Sequence, residues 1–148
     1  MYVFFVTVHP RPPQASAGEP VEIAGLNVAT LNIPAEVLHE TVRWCSFETA
    51  ETRLAAMPRM FIEPDGSFVW VAGDGEPGWQ VDGNLYDRHE QLLYVELKGS
   101  CPATAFDRLL GALEWPQTPL MFQWTHEALL TDEAEFRRLA EQRGETAG

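Results

Sequence analysis

The chain has 148 residues, 45% of them apolar, with 22 acids against 10 bases for a net charge of −12. A chain of this size buries roughly 70% of its unfolded surface, so a single domain over 1–148 with one real core is expected, and general disorder is not. The negative field repels phosphate backbones and anionic lipid, which disfavours nucleic acid and membrane surfaces and leaves a basic protein partner, or plain solubility, as the reading.

No apolar run approaches the ~20 residues that cross a bilayer. Tyr2–Val8 is apolar and Ala15-Ser16-Ala17 mimics a cleavage site, but the positive segment of a signal peptide is missing, so a cytoplasmic location is expected. Cys45 and Cys101 have no CxxC spacing. His9, His39, His89 and His126 show no HxH, HxxxH or HExxH pattern, since Leu130 stands where the second histidine after His126-Glu127 is needed. Neither a metal nor a cofactor is expected.

Taken in order, Tyr2–Val8 is β-branched and aromatic and reads as a first strand stopped by Pro10, Pro12 and Pro13. Residues 9–20 read as a mobile loop, with a strand at about Asn27–Asn32. Pro34 suits the first turn of a helix running to Cys45, with Val37, Leu38, Thr41, Val42 and Cys45 on one face and His39 on the solvent side. Ser46 reads as the N-cap of a second helix, with Phe47, Ala50, Leu54 and Met57 inward and Pro58 ending it.

The stretch from Met60 to Lys98 reads as an antiparallel meander, expected to be the scaffold for everything else. Glu63-Pro64-Asp65-Gly66 suits a type I turn closing its first hairpin. Phe68 to Val71 is apolar on both faces and is expected to be central. The loop Gly73–Gly78 matches neither GxxxxGK[ST] nor GxGxxG, and its acids would repel phosphate. Trp79, Val81 and Leu85 take one face of the next strand, with a bulge expected at Asp82-Gly83; Leu93, Val95 and Leu97 continue that inner face. Ser100-Cys101-Pro102 opens a helix with Phe106, Leu109, Leu110 and Leu113 inward. Leu120 to Trp124 reads as a last strand, and Asp132 with Glu135 resembles a capping box for a final helix that frays over 144–148. Strands clustered by hairpins imply an α+β fold, a mostly antiparallel sheet with its helices mainly on one face.

The helix from Phe106 to Trp115-Pro116, in a small acidic α+β chain, resembles one helix of the barstar-type ribonuclease inhibitors. The likeness covers that helix alone. Gln117-Thr118-Pro119-Leu120 replaces the Tyr-Gly-x-Asn stretch of that family, and no residue role is carried over.

Two chemistries compete. Tyr86 and Tyr94 project to the same side as Asp82 and Glu96 if the alternation holds, and aromatics among acids have the composition of a protein-binding face. The expected function is therefore a non-enzymatic interaction module, an adaptor, small subunit or inhibitor of a basic partner, using Asp82, Tyr86, Tyr94 and Glu96. The alternative is a small thiol-dependent enzyme with Cys101 as nucleophile, activated at a helix N-terminus. Asp82, Asp87 and Glu96 also form a candidate carboxylate cluster, although solvated acids on an open sheet face are the commoner case.

Overall fold

The computed structural model describes residues 1–37 and 42–147. In chain order it has strands β1 (Tyr2–Pro10), β2 (Ser16–Ala17), β3 (Val21–Ile23), β4 (Leu26–Val28) and β5 (Leu31–Asn32), a 3-10 turn at Ala35–Val37, and helix α1 (Phe47–Ala55). Strands β6 (Met60–Ile62), β7 (Ser67–Val71), β8 (Gln80–Arg88) and β9 (Gln91–Cys101) follow. Helix α2 (Ala103–Ala112), strands β10 (Leu120–Trp124) and β11 (Leu129–Asp132), and helix α3 (Glu133–Ala147) complete the chain. Seven strands form one antiparallel sheet in the order β11-β10-β1-β9-β8-β7-β6, and β2–β5 and β3–β4 form two small ribbons. This is the α+β class expected, with the meander supplying four of the seven strands.

Alternation in β1 sets the two faces. Tyr2, Phe4, Val6 and Val8 are buried, while Val3, Phe5, Thr7 and His9 are only half-buried on the other side. Against the inner face lie Ala50 and Leu54 of α1, Phe106, Leu109 and Leu110 of α2, and Phe136, Leu139 and Ala140 of α3, all in one contiguous core. Aromatic rings form its densest part: Phe136 stacks on Phe122 at 4.3 Å and on Phe106 at 4.9 Å, and Phe4 meets Phe106 edge-on at 5.2 Å. Edge and offset contacts of this kind add about 0.5–1.5 kcal/mol per pair to plain area burial. Among the described residues no helix is long and apolar enough to cross a membrane.

Local chemistry explains the elements that match. Ser46 Oγ accepts from the Thr49 N–H at 3.0 Å and starts α1, while Asp132 Oδ1 accepts from the Glu135 N–H at 2.8 Å and starts α3. In the turn before β7, Gly66 has φ 95° and donates to the Glu63 carbonyl at 2.9 Å, a geometry that glycine alone adopts freely.

Several expectations are corrected. Of the helix expected from Pro34 to Cys45, the described residues contain only the turn at Ala35–Val37, and Val42 to Cys45 belong to no helix or strand. The Trp44 indole donates to the Leu113 carbonyl and the Cys45 carbonyl accepts from the Leu92 N–H, which ties this stretch to the end of α2 and to β9. Leu38, His39, Glu40 and Thr41 lie outside the described residues. The strand expected at Asn27–Asn32 is broken, because the Ala29 N–H turns to Glu135 and the Thr30 carbonyl accepts from Gly18. Within the loop expected over 9–20, His9 and Pro10 belong to β1 and Ser16–Ala17 pair with β5.

Strand β7 is next to the edge of the sheet, not central, and its Val69 is 37% exposed. The bulge expected at Asp82-Gly83 is absent there; the register shift lies between Tyr86 and Asp87. As a result Leu92 takes the inward position and Leu93 joins Tyr94 on the outer side. Cys101 is the last residue of β9, not a helix cap, since Pro102 occupies that position. β11 adds a strand beyond the one expected at Leu120 to Trp124, and α3 runs past Gly144, where a Cβ would come 1.7 Å from the Met1 carbonyl.

Candidate interaction surface

The four residues singled out for contact share the outer sheet face. Asp82 and Tyr86 lie on β8 and Tyr94 and Glu96 on β9, with Tyr86 directly opposite Tyr94, Asn84 opposite Glu96 and Asp82 opposite Lys98. The Tyr86 and Tyr94 rings stack at 4.6 Å with 29° between their planes. Both rings are half-buried, Asp82 is exposed, and none of the four belongs to the core. The register shift falls one residue after Tyr86, so it leaves this set in phase.

Gly83 is what holds the phase. It points inward between Val81 and Leu85, and a Cβ there would sit 2.0 Å from the Phe68 ring. Phe68 is directly opposite Gly83 on β7 and fills the side-chain space that glycine leaves. With Gly83 tucked in, Asp82, Asn84 and Tyr86 all face outward.

Electrostatics tie the rings to their acids. The Glu96 carboxylate facing the Tyr86 hydroxyl raises that phenol above its ordinary range, and the Asn84 amide acts in the opposite sense. A raised phenol pKa keeps Tyr86 neutral and able to donate. Asn84 Oδ1 is buried and without a hydrogen-bond partner among the described residues, so one acceptor sits open beneath this face.

The same face includes residues that sequence reading did not assign to it. From β1 come Phe5, Thr7 and His9; from β10 comes Gln123, whose side-chain carbonyl accepts from His9 Nε2 at 2.9 Å. The Lys98 ammonium lies 5.0 Å from the centre of the Phe5 ring. Toward the β6 edge stand Phe61, 64% exposed, and its partner Val69. A hint was present in the strict alternation of Tyr2 to His9, but which strands flank β1 is a long-range pairing. At the other end of the face, Met121 is buried beside Ile33 and Val37, so the chain after β5 covers that corner.

Cys101 is placed otherwise. It is fully buried in the core, and burial pushes its thiol up to about 12. It lines none of four surface cavities found among the described residues. Cys45 is likewise pushed up to about 11, mainly by burial and then by the nearby Glu114. Such thiols are thiolate-poor at neutral pH, the reverse of an activated nucleophile. Asp82, Asp87 and Glu96 do not converge: Asp82 and Glu96 face Lys98 and Asn84 across the ladder, and Asp87 is exposed beyond the register shift. Among the described residues no group of three His, Cys, Asp or Glu side chains is placed to hold a metal ion. Compared with models of protein families, with characterised proteins and with solved structures, the chain has no match.

Proposed function

We propose that this protein is a non-enzymatic interaction module that binds a basic protein partner through the outer face of its sheet, in the cytoplasm. The observation that carries this reading is the stacked Tyr86–Tyr94 pair, bordered by Asp82 and Glu96, on the face opposite the core into which α1, α2 and α3 pack among the described residues. Stacked tyrosines offer large, rigid, amphipathic contact area at small entropic cost, which is why aromatics concentrate binding energy. The net charge of −12 supplies long-range attraction for a cationic partner and makes the encounter sensitive to salt. Half-exposed Val69 and exposed Phe61 extend the apolar part of the same face toward the β6 edge.

Site-specific photocrosslinking tests the reading. A benzophenone side chain is placed at Asp82, and in a control at exposed Glu141 of α3. The expected result is one adduct with a basic protein from Asp82, weakened by added salt and by the Tyr86→Ala, Tyr94→Ala double substitution. Equal adducts from both positions, or none from Asp82, overturn it.

A further inference from the structure

The outer face ends in a cavity of about 390 Å³ where the chain after β5 crosses the sheet. Its walls are aliphatic and thioether surface from Ile33, Val37, Leu93 and Met121. The register shift in β9 creates this wall, because it turns Leu93 outward beside Tyr94. Polar groups enter at only four lining positions among the described residues: His9, Gln123, Tyr94 and Arg88. Pockets of roughly 300–1,000 Å³ with apolar walls and a few convergent polar groups are the usual shape of small-molecule sites.

The polar set selects the ligand. Arg88 is the one formally charged residue among the described lining, in a chain whose net charge is −12. Burial lowers the His9 pKa, so its ring is neutral at neutral pH, and its Nε2 is engaged by Gln123. A cationic head would meet no carboxylate in the lining formed by the described residues, whereas a carboxylate finds a guanidinium suited to it. We propose that this cavity binds a small apolar monocarboxylate, its hydrocarbon body against Ile33, Val37, Leu93 and Met121 and its carboxylate at Arg88. The cavity shares Tyr94 with the protein-contact face, but the ligand reading rests on the cavity lining and does not depend on that contact.

Three isosteric probes decide the matter: 2-naphthoate, the neutral 2-naphthamide, and the cationic 2-naphthylmethylamine, each titrated into the full chain with backbone amide NMR shifts as the readout. The naphthoate is expected to bind in the sub-millimolar range, as the usual energy per ligand atom allows, and to shift the amides of His9, Leu93, Tyr94 and Met121. Preference over the amide and the amine should be about tenfold or more, the scale of a charge-assisted hydrogen bond. Arg88→Gln, at an exposed residue, should abolish that preference, and Leu93→Trp should fill the cavity and remove binding. Equal binding of all three probes, tighter binding of the amine, retention of the preference by Arg88→Gln, or no cavity shifts at millimolar naphthoate would overturn the proposal.

Discussion

Replacing Gly83 with alanine puts the geometry of the outer face to a quantitative test. An added Cβ would lie 2.0, 2.4 and 2.5 Å from three atoms of the Phe68 ring, where ordinary contact begins near 3.4 Å. The ring must retreat by well over an ångström, and Phe68 is 3% exposed within the core. Overpacking of this kind costs about 1–3 kcal/mol. The alanine returns about 0.4–1 kcal/mol by restricting the unfolded chain, so the net loss is about 1–2 kcal/mol. Phe68→Leu removes the clashing ring atoms at a cost of its own, and in the double variant the two losses should fall short of additivity by about 1 kcal/mol. Urea unfolding followed by tryptophan fluorescence measures all four proteins. If Gly83→Ala is neutral, or if the two costs add, then Phe68 does not occupy the space above Gly83 and the phase of Asp82, Asn84 and Tyr86 is set by something else.

The Tyr86→Ala, Tyr94→Ala double variant should lose no more than about 2 kcal/mol, since only half-buried area and one stacked pair are removed. Phe136→Ala, in the core, should lose about 3–5 kcal/mol in the same urea assay, and a comparable loss from the tyrosines would make them core residues instead of contact residues. Glu135 accepts from the Ala29 N–H and from Arg138, which itself reaches the Asn27 carbonyl and so clips the β3–β4 ribbon to α3. The Arg138 contact, first, and the Ala29 N–H hold its carboxyl below the ordinary 4.5, against the opposing effect of burial. Its contribution is therefore complete above that pH and is lost as pH falls below it. Glu135→Gln should cost about 1–2 kcal/mol at neutral pH and flatten the acid limb of a stability–pH profile; an unchanged limb refutes the assignment. With thiols raised to about 11 and about 12, Cys45 and Cys101 should resist iodoacetamide at pH 8 until urea unfolds the chain, and rapid labelling of native Cys101 would reinstate a reactive thiol.

Short-range chemistry accounts for the features that were legible in the chain. Ser46 and Asp132 cap helices because their side chains reach N–H groups three residues on, and Glu63 to Gly66 closes a hairpin because φ at Gly66 requires glycine. Alternation placed Val81, Leu85, Val95 and Leu97 inward, and with them Tyr86, Tyr94, Asp82 and Glu96 outward. Each of these signals spans fewer than ten residues.

Readings failed where a distant partner outweighs local preference. Pro34 to Cys45 has a helical pattern, yet its described end, Val42 to Cys45, is non-helical and is tied by the hydrogen bonds from Trp44 to Leu113 and from Leu92 to Cys45. Cys101 has the local sequence of a helix entrance, yet β9 continues through it because β1 pairs along its length, Tyr2 opposite Cys101. Asp82-Gly83 looks like a bulge until Phe68 arrives from β7 to use the missing side chain.

The balance of charge, the hairpin turns, the caps and the two-sided character of the strands follow from residue types and their spacing, because each is settled within a turn or two of chain. Strand order, the burial of Cys101, the outward turn of Leu93 and the meeting of His9, Tyr94 and Gln123 at one cavity depend on pairings across many tens of residues. Those pairings are chosen by how completely the assembled core excludes water, a property of the whole sheet with its helices and of no single segment.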